Sequence, residues 1–251
     1  MTWMLSGLKN VPVPTWPLPL VTLARSNLSS SSKRWVARQK KDKFAKMAKA
    51  ESYRARSSYK LIALDDKYRF IRQGGKAQPG WVIDCGSAPG GWSQVVMERL
   101  KNQRPEGEQS VIGIDLLPML PIDGVNFIQG DFTTEKIKRE IEAIIGDRRV
   151  RLVLSDMAPS FSGHHNTDHL RSMASRCYHQ LCEDLVNFSD TFLCKGGALA
   201  CKYIMGGDEK ELKEMLESRF EKVHNEKPES SRKQSSERFF VCLGKVSDPT
   251  Y

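Results

Sequence analysis

Short apolar runs, separated by polar and glycine-rich stretches, recur along this chain and have the length of single β-strands. The first four are Trp81–Cys85, Ser110–Asp115, Val125–Asp131 and Val150–Ser155. Each contains or leads into an aspartate, and these are Asp84, Asp115, Asp131 and Asp156. Because the carboxyl ends of parallel strands meet at one edge of a sheet, such acids can accept hydrogen bonds from a ligand's ribose hydroxyls. Acids that cap the following helices would explain each position singly, but they explain the set poorly.

The first run leads into a glycine-rich turn. Gly86, Gly90 and Gly91 stand here with Pro89 between them, and a helix is predicted from about Trp92 to Leu100. Glycines let a ligand approach the backbone, and a helix N-terminus offers N–H groups with partial positive charge. The dinucleotide pattern G-x-G-x-x-G is absent, which argues against NAD. The turn therefore favours another adenosine-containing cofactor, with a purely structural turn as the alternative.

Three further strands and several helices follow the same alternation. A fifth apolar run, Ala198–Cys201, ends in Lys202, a sixth begins at Val223, and Glu237 opens the last run, Arg238–Leu243. Helices are predicted at 51–72, 170–193 and 208–220. The pattern predicts an α/β fold in which a mostly parallel seven-stranded sheet carries helices on both faces.

Positive charge is concentrated near the N-terminus. The net charge is +9, but residues 1–41 hold seven Lys or Arg and no acid, so the rest of the chain is almost neutral. Residues 33–60 hold 11 basic side chains with aromatic residues interleaved. Basic groups neutralise phosphates and aromatic rings stack on bases, which predicts an RNA-binding arm, although a solvated helix face has the same composition. The predicted organisation is an N-terminal segment at 1–30, a basic arm at 31–50, a catalytic domain at 51–245 and a tail at 246–251.

The first 30 residues contain no acid, carry four prolines and lead into a serine run. This composition is typical of an organelle transit peptide and predicts a mitochondrial location, with a disordered tail as the alternative. No apolar run approaches the roughly 18 residues that a membrane span needs. The six cysteines form no CxxC pair, which indicates free thiols in a reducing compartment. His165 and His169 are four residues apart but have no evident third ligand, so no metal site is predicted.

Taken together, the motifs of this chain resemble those of the FtsJ/RrmJ-type ribosomal RNA ribose 2′-O-methyltransferases. The resemblance runs from about Ser31 to Gly244, and its N-terminal extension is similar to the mitochondrial branch of that family. The motifs are Ser31–Trp35, Tyr53–Leu61, Asp84–Gln94, Gln129–Phe132, Ser155–Pro159 and Ser230–Glu237.

The resemblance implies a Rossmann-like, S-adenosylmethionine-dependent enzyme that methylates a uridine ribose of large-subunit ribosomal RNA in the mitochondrial matrix. Its substrate would be the RNA or a precursor of the large ribosomal subunit, and we expect a monomer. Lys202 would be the general base of a catalytic tetrad. The tetrad maps onto Lys60, Asp156, Lys202 and Glu237. The cofactor contacts map onto Pro89, Gly90, Gly91, Trp92, Asp115, Asp131 and Asp156.

Two alternatives belong to other functional classes. The protein would serve as an RNA-binding ribosome assembly factor if the methyltransferase fold were only a scaffold, but a scaffold has no physical need for two lysines and two acids around one pocket. A small-molecule O-methyltransferase would leave the basic arm without a partner. The residues therefore favour catalysis on RNA.

Overall fold

A computed structural model of the protein describes residues 42–71, 80–101, 110–158, 168–206, 209–232 and 234–249, without the side chains of 168–175. Two predicted regions lie outside these residues, namely the N-terminal segment and most of the basic arm. The loop from Gly163 to His169 also lies outside them, except for the backbone of its last two residues.

Seven strands form one sheet in the order β3-β2-β1-β4-β5-β7-β6. The first five strands are mutually parallel, whereas β7 is antiparallel to both β5 and β6. This arrangement confirms the predicted mostly parallel α/β fold. The strands are β1 (Trp81–Cys85), β2 (Val111–Asp115), β3 (Val125–Gln129), β4 (Val150–Ser155), β5 (Leu193–Ile204), β6 (Phe220–Glu226) and β7 (Glu237–Lys245).

Helices cover both faces of the sheet, as predicted. On one face, Ile137, Ile141 and Ile145 are spaced four residues apart and point one stripe of their helix into the core. On the other face, Leu61 and Leu64 belong to the second cluster of buried residues. The helices are α1 (Lys43–Ala50), α2 (Ser58–Tyr68), α3 (Gly91–Leu100), α4 (Glu135–Ile145), α5 (Asp168–Phe192) and α6 (Glu209–Glu217).

Two element boundaries differ from the predictions. The helix predicted at 51–72 begins only at Ser58, because the preceding segment is held in turns by long-range bonds such as that from the Arg54 backbone N–H to Gln94 Oε1. The fifth strand is longer than predicted and includes Gly196 and Gly197, which lie between the predicted helix at 170–193 and the predicted strand. Pairing with β4 resumes across a register shift, so the strand continues through the glycine pair.

The described residues also bear on the predictions about cysteines, membrane spans and metal ligands. All six cysteines are free thiols, and five of them are buried. In the described part of the chain, no helix has the length and apolarity required to cross a bilayer. Among the same residues, no three His, Cys, Asp or Glu side chains are grouped as metal ligands.

Candidate active site

The four side chains of the predicted tetrad come from four different elements. Lys60 lies in α2, Asp156 directly follows β4, Lys202 lies near the end of β5 and Glu237 begins β7. The parallel strands β4 and β5 end at the same edge of the sheet. The antiparallel strand β7 starts at that edge, because Glu237 pairs with Ile204. Residues separated by up to 177 positions thus arrive at one place.

Contacts between charged atoms join these side chains into one cluster. The ammonium nitrogen of Lys60 lies 3.3 Å from Asp156 Oδ1 and 3.1 Å from Glu237 Oε2. Lys202 Nζ lies 3.2 Å from Asp156 Oδ1 and also donates to the Asp156 carbonyl oxygen. All four side chains are largely buried, with exposed fractions between 9% and 17%. The cluster contains equal numbers of cationic and anionic groups, which is how charges are tolerated away from water.

The surroundings of Lys202 favour its neutral form. Burial lowers the pKa of Lys202, and the positive charge of Lys60 lowers it further, while Asp156 opposes both effects. Burial also disfavours ionisation of Glu237, but Lys60 and Ser231 outweigh it and lower the pKa of that carboxyl below its ordinary value. The site therefore combines an amine that loses its proton more readily than usual with a carboxylate that stays ionised.

The glycine-rich turn lies at the same edge and has no space for a side chain at two of its positions. Gly86 and Gly90 have φ of 77° and 111°, a conformation that other residues rarely adopt. A Cβ on Gly86 would lie 2.0 Å from Met157 Cγ, and one on Gly90 would lie 2.7 Å from Ile122 Cδ1. Gly91 then begins α3. A cradle of backbone at a helix N-terminus, with carboxylates nearby, fits a cofactor that carries both a carboxylate and positive charge.

Of the predicted cofactor contacts in this turn, Trp92 is placed differently from the others. Its indole is 3% exposed, donates from Nε1 to the Ser57 carbonyl oxygen at 2.9 Å and packs on the Phe239 ring. The side chain is thus part of the core, and only the backbone of Trp92 faces the turn region. Pro89 is tied into the same turn through its carbonyl oxygen, which accepts a hydrogen bond from Arg54.

Two more of the predicted cofactor contacts, Asp115 and Asp131, lie at the carboxyl ends of the next two strands. Asp115 Oδ2 accepts a hydrogen bond from the Ala88 backbone N–H at 2.8 Å, so this carboxylate also fixes the glycine-rich turn. Asp131 is exposed and accepts from the backbone N–H and the hydroxyl of Thr133. Since β2 and β3 are parallel neighbours, both carboxylates lie at the edge that carries the turn.

Sequence reasoning noted Asp84 as a strand-end acid but did not include it among the site residues. Its side chain is 1% exposed and accepts a hydrogen bond from Ser93 Oγ at 2.7 Å. Burial raises the pKa of Asp84 to about 7, and the negative charges of Asp156 and Asp115 add to the effect. Asp156 and Asp115 are therefore close enough to Asp84 to disfavour its ionisation, and a cationic ligand would oppose that effect.

Arg54 is a second residue for which the sequence analysis predicted no role in the site, although it belongs to the Tyr53–Leu61 motif. Its guanidinium donates to the carbonyl oxygens of Pro89, Leu120 and Pro121. It therefore joins the glycine-rich turn to the loop after β2. Both segments lie at the sheet edge that carries the strand-end carboxylates. The signal in the sequence was only its place in the Tyr53–Leu61 motif, because its partners lie 35 to 67 positions away.

Comparison with known proteins gives consistent matches. The FtsJ-like methyltransferase family matches residues 53–245. The ribosomal RNA large subunit methyltransferase E of Granulibacter bethesdensis is 41% identical over 242 residues, which is 96% of each chain. The protein of the same name from Roseobacter denitrificans is 42% identical over 217 residues, or 85% of each chain. A crystal structure of a ribosomal RNA methyltransferase from Plasmodium falciparum has a TM-score of 0.65 and 30% identity, covering 78% of this chain and all of that one.

One prediction is wrong in the light of these matches. The relatives named ribosomal RNA large subunit methyltransferase E are bacterial proteins, and they align with 85% to 96% of this chain. They contradict the predicted mitochondrial location. The basic, acid-free composition of the first 30 residues is therefore not sufficient to identify a transit peptide.

Proposed function

Since this chain belongs to the FtsJ-like methyltransferase family, we propose that it transfers a methyl group from S-adenosylmethionine to a ribose 2′-hydroxyl of large-subunit ribosomal RNA, with a uridine as the target. The cofactor and a ribosomal RNA methyltransferase activity follow from the family and from the relatives' names. The ribose position, the uridine and the residue roles are our own assignment. The single observation that carries it is the buried cluster of two lysines and two carboxylates at the edge where the glycine-rich turn lies.

The turn and the strand-end acids would hold the cofactor. Its carboxylate suits the backbone of the turn and the start of α3, and its ribose and adenine suit Asp115 and Asp131. Asp84 and Asp156 supply negative charge for its cationic groups. When bound, S-adenosylmethionine supplies a methyl group activated by a sulfonium, so the protein needs to supply alignment and a stronger nucleophile. The cofactor-binding residues of this proposal are Pro89, Gly90, Gly91, Trp92, Asp115, Asp131 and Asp156.

Lys202 is the general base in this mechanism. A ribose hydroxyl is a weak nucleophile at neutral pH because little of it is ionised. As the hydroxyl oxygen bonds to the methyl carbon, the neutral amine of Lys202 accepts the hydroxyl proton, and the sulfur retains the electrons of the bond that breaks. Asp156 holds Lys202 in position through the 3.2 Å contact. Lys60 and Glu237, joined to each other at 3.1 Å, orient the hydroxyl.

Substitution of Lys202 tests this assignment. Lys202→Met removes the base, and Lys202→Arg keeps a positive charge but cannot accept a proton near neutral pH. We expect both variants to lose about 10²- to 10⁴-fold in kcat, while the affinity for S-adenosylmethionine measured by calorimetry changes less than about three-fold. Lys222→Met, on the edge strand β6, is the matched control and should retain activity.

The pH profile provides a second readout. Because the pKa of Lys202 is lowered, kcat of the wild-type enzyme should rise with pH and level off below the range in which an ordinary lysine titrates. Ribose methylation is measured on large-subunit RNA by the resistance of the modified linkage to alkaline hydrolysis. If Lys202→Met methylates RNA at more than half the wild-type rate, Lys202 is not the base.

A further inference from the structure

An open groove of about 580 Å³ lies between the first turn of α1 and the loop that joins β6 to β7. Its lining residues are Lys43, Phe44, Lys227, Pro228, Glu229 and Ser231. The mechanism above does not use this groove.

Charged contacts hold the two walls of the groove together without any ligand. The guanidinium of Arg56 donates to the Asp42 carboxylate and to the Ser230 carbonyl oxygen, which links the start of α1 to the loop. Arg232 Nη2 lies 3.5 Å from the same carboxylate. Asp42 also caps α1 by accepting from the backbone N–H groups of Phe44 and Ala45. The groove is thus formed in advance, which reduces the entropy cost of binding.

The groove reaches the tetrad through Ser231. This residue is 5% exposed, lines the groove and lies on the loop that leads into Glu237. A polymer bound in the groove would therefore pass beside the site where the target hydroxyl is placed.

The charge around the groove is positive. Arg56 and Arg232 contact the single carboxylate of Asp42, and the lining residues include two lysines, Lys43 and Lys227, and one acid, Glu229. The Lys227 ammonium also donates to the Ser235 carbonyl oxygen at 2.8 Å. Beyond the groove, Lys46 and Lys49 follow Lys43 at three-residue intervals and are exposed along α1. The opposite side of α1 is anchored by Phe44, whose ring lies 5.5 Å from that of Tyr59. The exposed side of the helix therefore continues the positive surface away from the groove.

We propose that this groove binds the phosphodiester backbone of the substrate RNA beside the target nucleotide, with Lys43 and Lys227 pairing with phosphates. The inference rests on the proposed function, since it assigns a second contact region to the same RNA substrate. Phosphate contacts position an RNA without reading its sequence, so the groove sets the register of the strand at the tetrad.

The test uses the full-length protein and an RNA fragment of the large subunit that the wild-type enzyme methylates. The variants are Lys43→Ser, Lys227→Gln and the double substitution, and the control is Lys136→Ser, an exposed lysine of α4 on the other face of the sheet. RNA affinity is measured by fluorescence anisotropy over a series of salt concentrations, and kcat and KM for RNA are measured in parallel.

We expect each groove variant to weaken RNA binding about five-fold and to reduce the slope of log affinity against log salt by roughly 0.7 to 1 per lysine. KM for RNA should rise, kcat at saturating RNA should stay within two-fold, and Lys136→Ser should resemble wild type. Unchanged affinity and salt slope in the double variant would overturn the proposal. Weaker binding to the assembled subunit without weaker binding to naked RNA would also overturn it, because the groove would then contact a protein.

These outcomes are separate from a failure of the proposed function. If the wild-type protein methylates no ribosomal RNA, the function itself is wrong. If the wild type methylates RNA and the groove variants do so with unchanged KM and salt dependence, only the groove assignment is wrong.

Discussion

Replacement of Asp84 by asparagine should stabilise the ligand-free protein above neutral pH. Asp84 is buried beneath the glycine-rich turn, and its carboxylate accepts a hydrogen bond from the Ser93 hydroxyl at 2.7 Å. Burial raises the pKa of Asp84 from 3.8 to about 7, with smaller contributions from Asp156 and Asp115. Asparagine has nearly the same shape and can still accept the bond from Ser93, but it carries no charge.

The size of the effect follows from linkage between protonation and folding. The folded protein holds the Asp84 proton more tightly than the unfolded chain does, so the stabilisation is complete at low pH and is lost as pH rises from about 4 through 7. A shift of about three pKa units, at about 1.4 kcal/mol each, sets a limit of about 4 kcal/mol. Between pH 6 and pH 8 the loss is about 1–2 kcal/mol, which corresponds to a few degrees in Tm for a chain of this size.

The assay is thermal or urea unfolding of wild type and Asp84→Asn at pH 6, 7 and 8 without cofactor. We expect the difference between the two proteins to grow by about 1–2 kcal/mol from pH 6 to pH 8 in favour of the variant. Asp123→Asn, at an exposed position, is the control for the removal of a carboxylate and should leave the pH dependence unchanged. If wild type and Asp84→Asn lose stability in parallel over this range, Asp84 is already ionised in the folded protein and the reasoning is wrong.

The ionisation of Asp84 should also respond differently to S-adenosylmethionine and to its demethylated product, S-adenosylhomocysteine. The sulfonium of S-adenosylmethionine favours an ionised carboxylate, whereas S-adenosylhomocysteine lacks that charge. At pH 6 the methylated cofactor should therefore release more protons on binding to wild type. Calorimetry in two buffers of different ionisation enthalpy measures this release, and the difference between the cofactors should shrink in Asp84→Asn.

Two further substitutions test the cradle around the cofactor. Arg54→Lys replaces a guanidinium that donates hydrogen bonds to three carbonyl oxygens on two loops. We expect the affinity for S-adenosylmethionine to fall about ten-fold, with little change in kcat at saturating cofactor. Unchanged affinity in calorimetry would show that Arg54 does not position the loops. Gly86→Ala places a Cβ 2.0 Å from Met157 Cγ at a positive φ, so the free energy of unfolding in urea should fall by about 1–3 kcal/mol. Gly146→Ala has a positive φ but meets no described atom within 4 Å, and a loss as large as that of Gly86→Ala would contradict the steric argument.

Hydrophobic patterning was enough to predict the sheet and its functional edge. The first four strands were predicted within two residues because each is a short apolar run that ends at a polar position. The acids at their ends were expected to share one edge, and Asp84, Asp115 and Asp156 do lie close enough to interact. Patterning failed where contacts distant in sequence decide the conformation. Ser58 begins α2 only because the segment before it bonds to Gln94, and no local propensity encodes that partner.

Burial depth was the other quantity that the sequence did not provide. Asp84 and Asp131 both follow the same pattern of an acid near a strand end, yet one is 1% exposed and the other is exposed to solvent. The difference arises because β1 is central in the sheet and β3 is at its edge. Since desolvation is the largest cause of the shift at Asp84, only the strand order could indicate which carboxyl has an altered pKa.

Strand direction completes the explanation of the tetrad. A residue at the end of a parallel strand and a residue at the start of an antiparallel neighbour lie at the same edge of a sheet. Asp156 and Lys202 reach the edge in the first way, after β4 and near the end of β5, and Glu237 reaches it in the second, opposite Ile204. If β7 were parallel to β5, Glu237 would lie at the far edge and Lys60 would lose its 3.1 Å partner. The reversed direction of this one strand is therefore what allows two carboxylates to balance two lysines beside the glycine-rich turn.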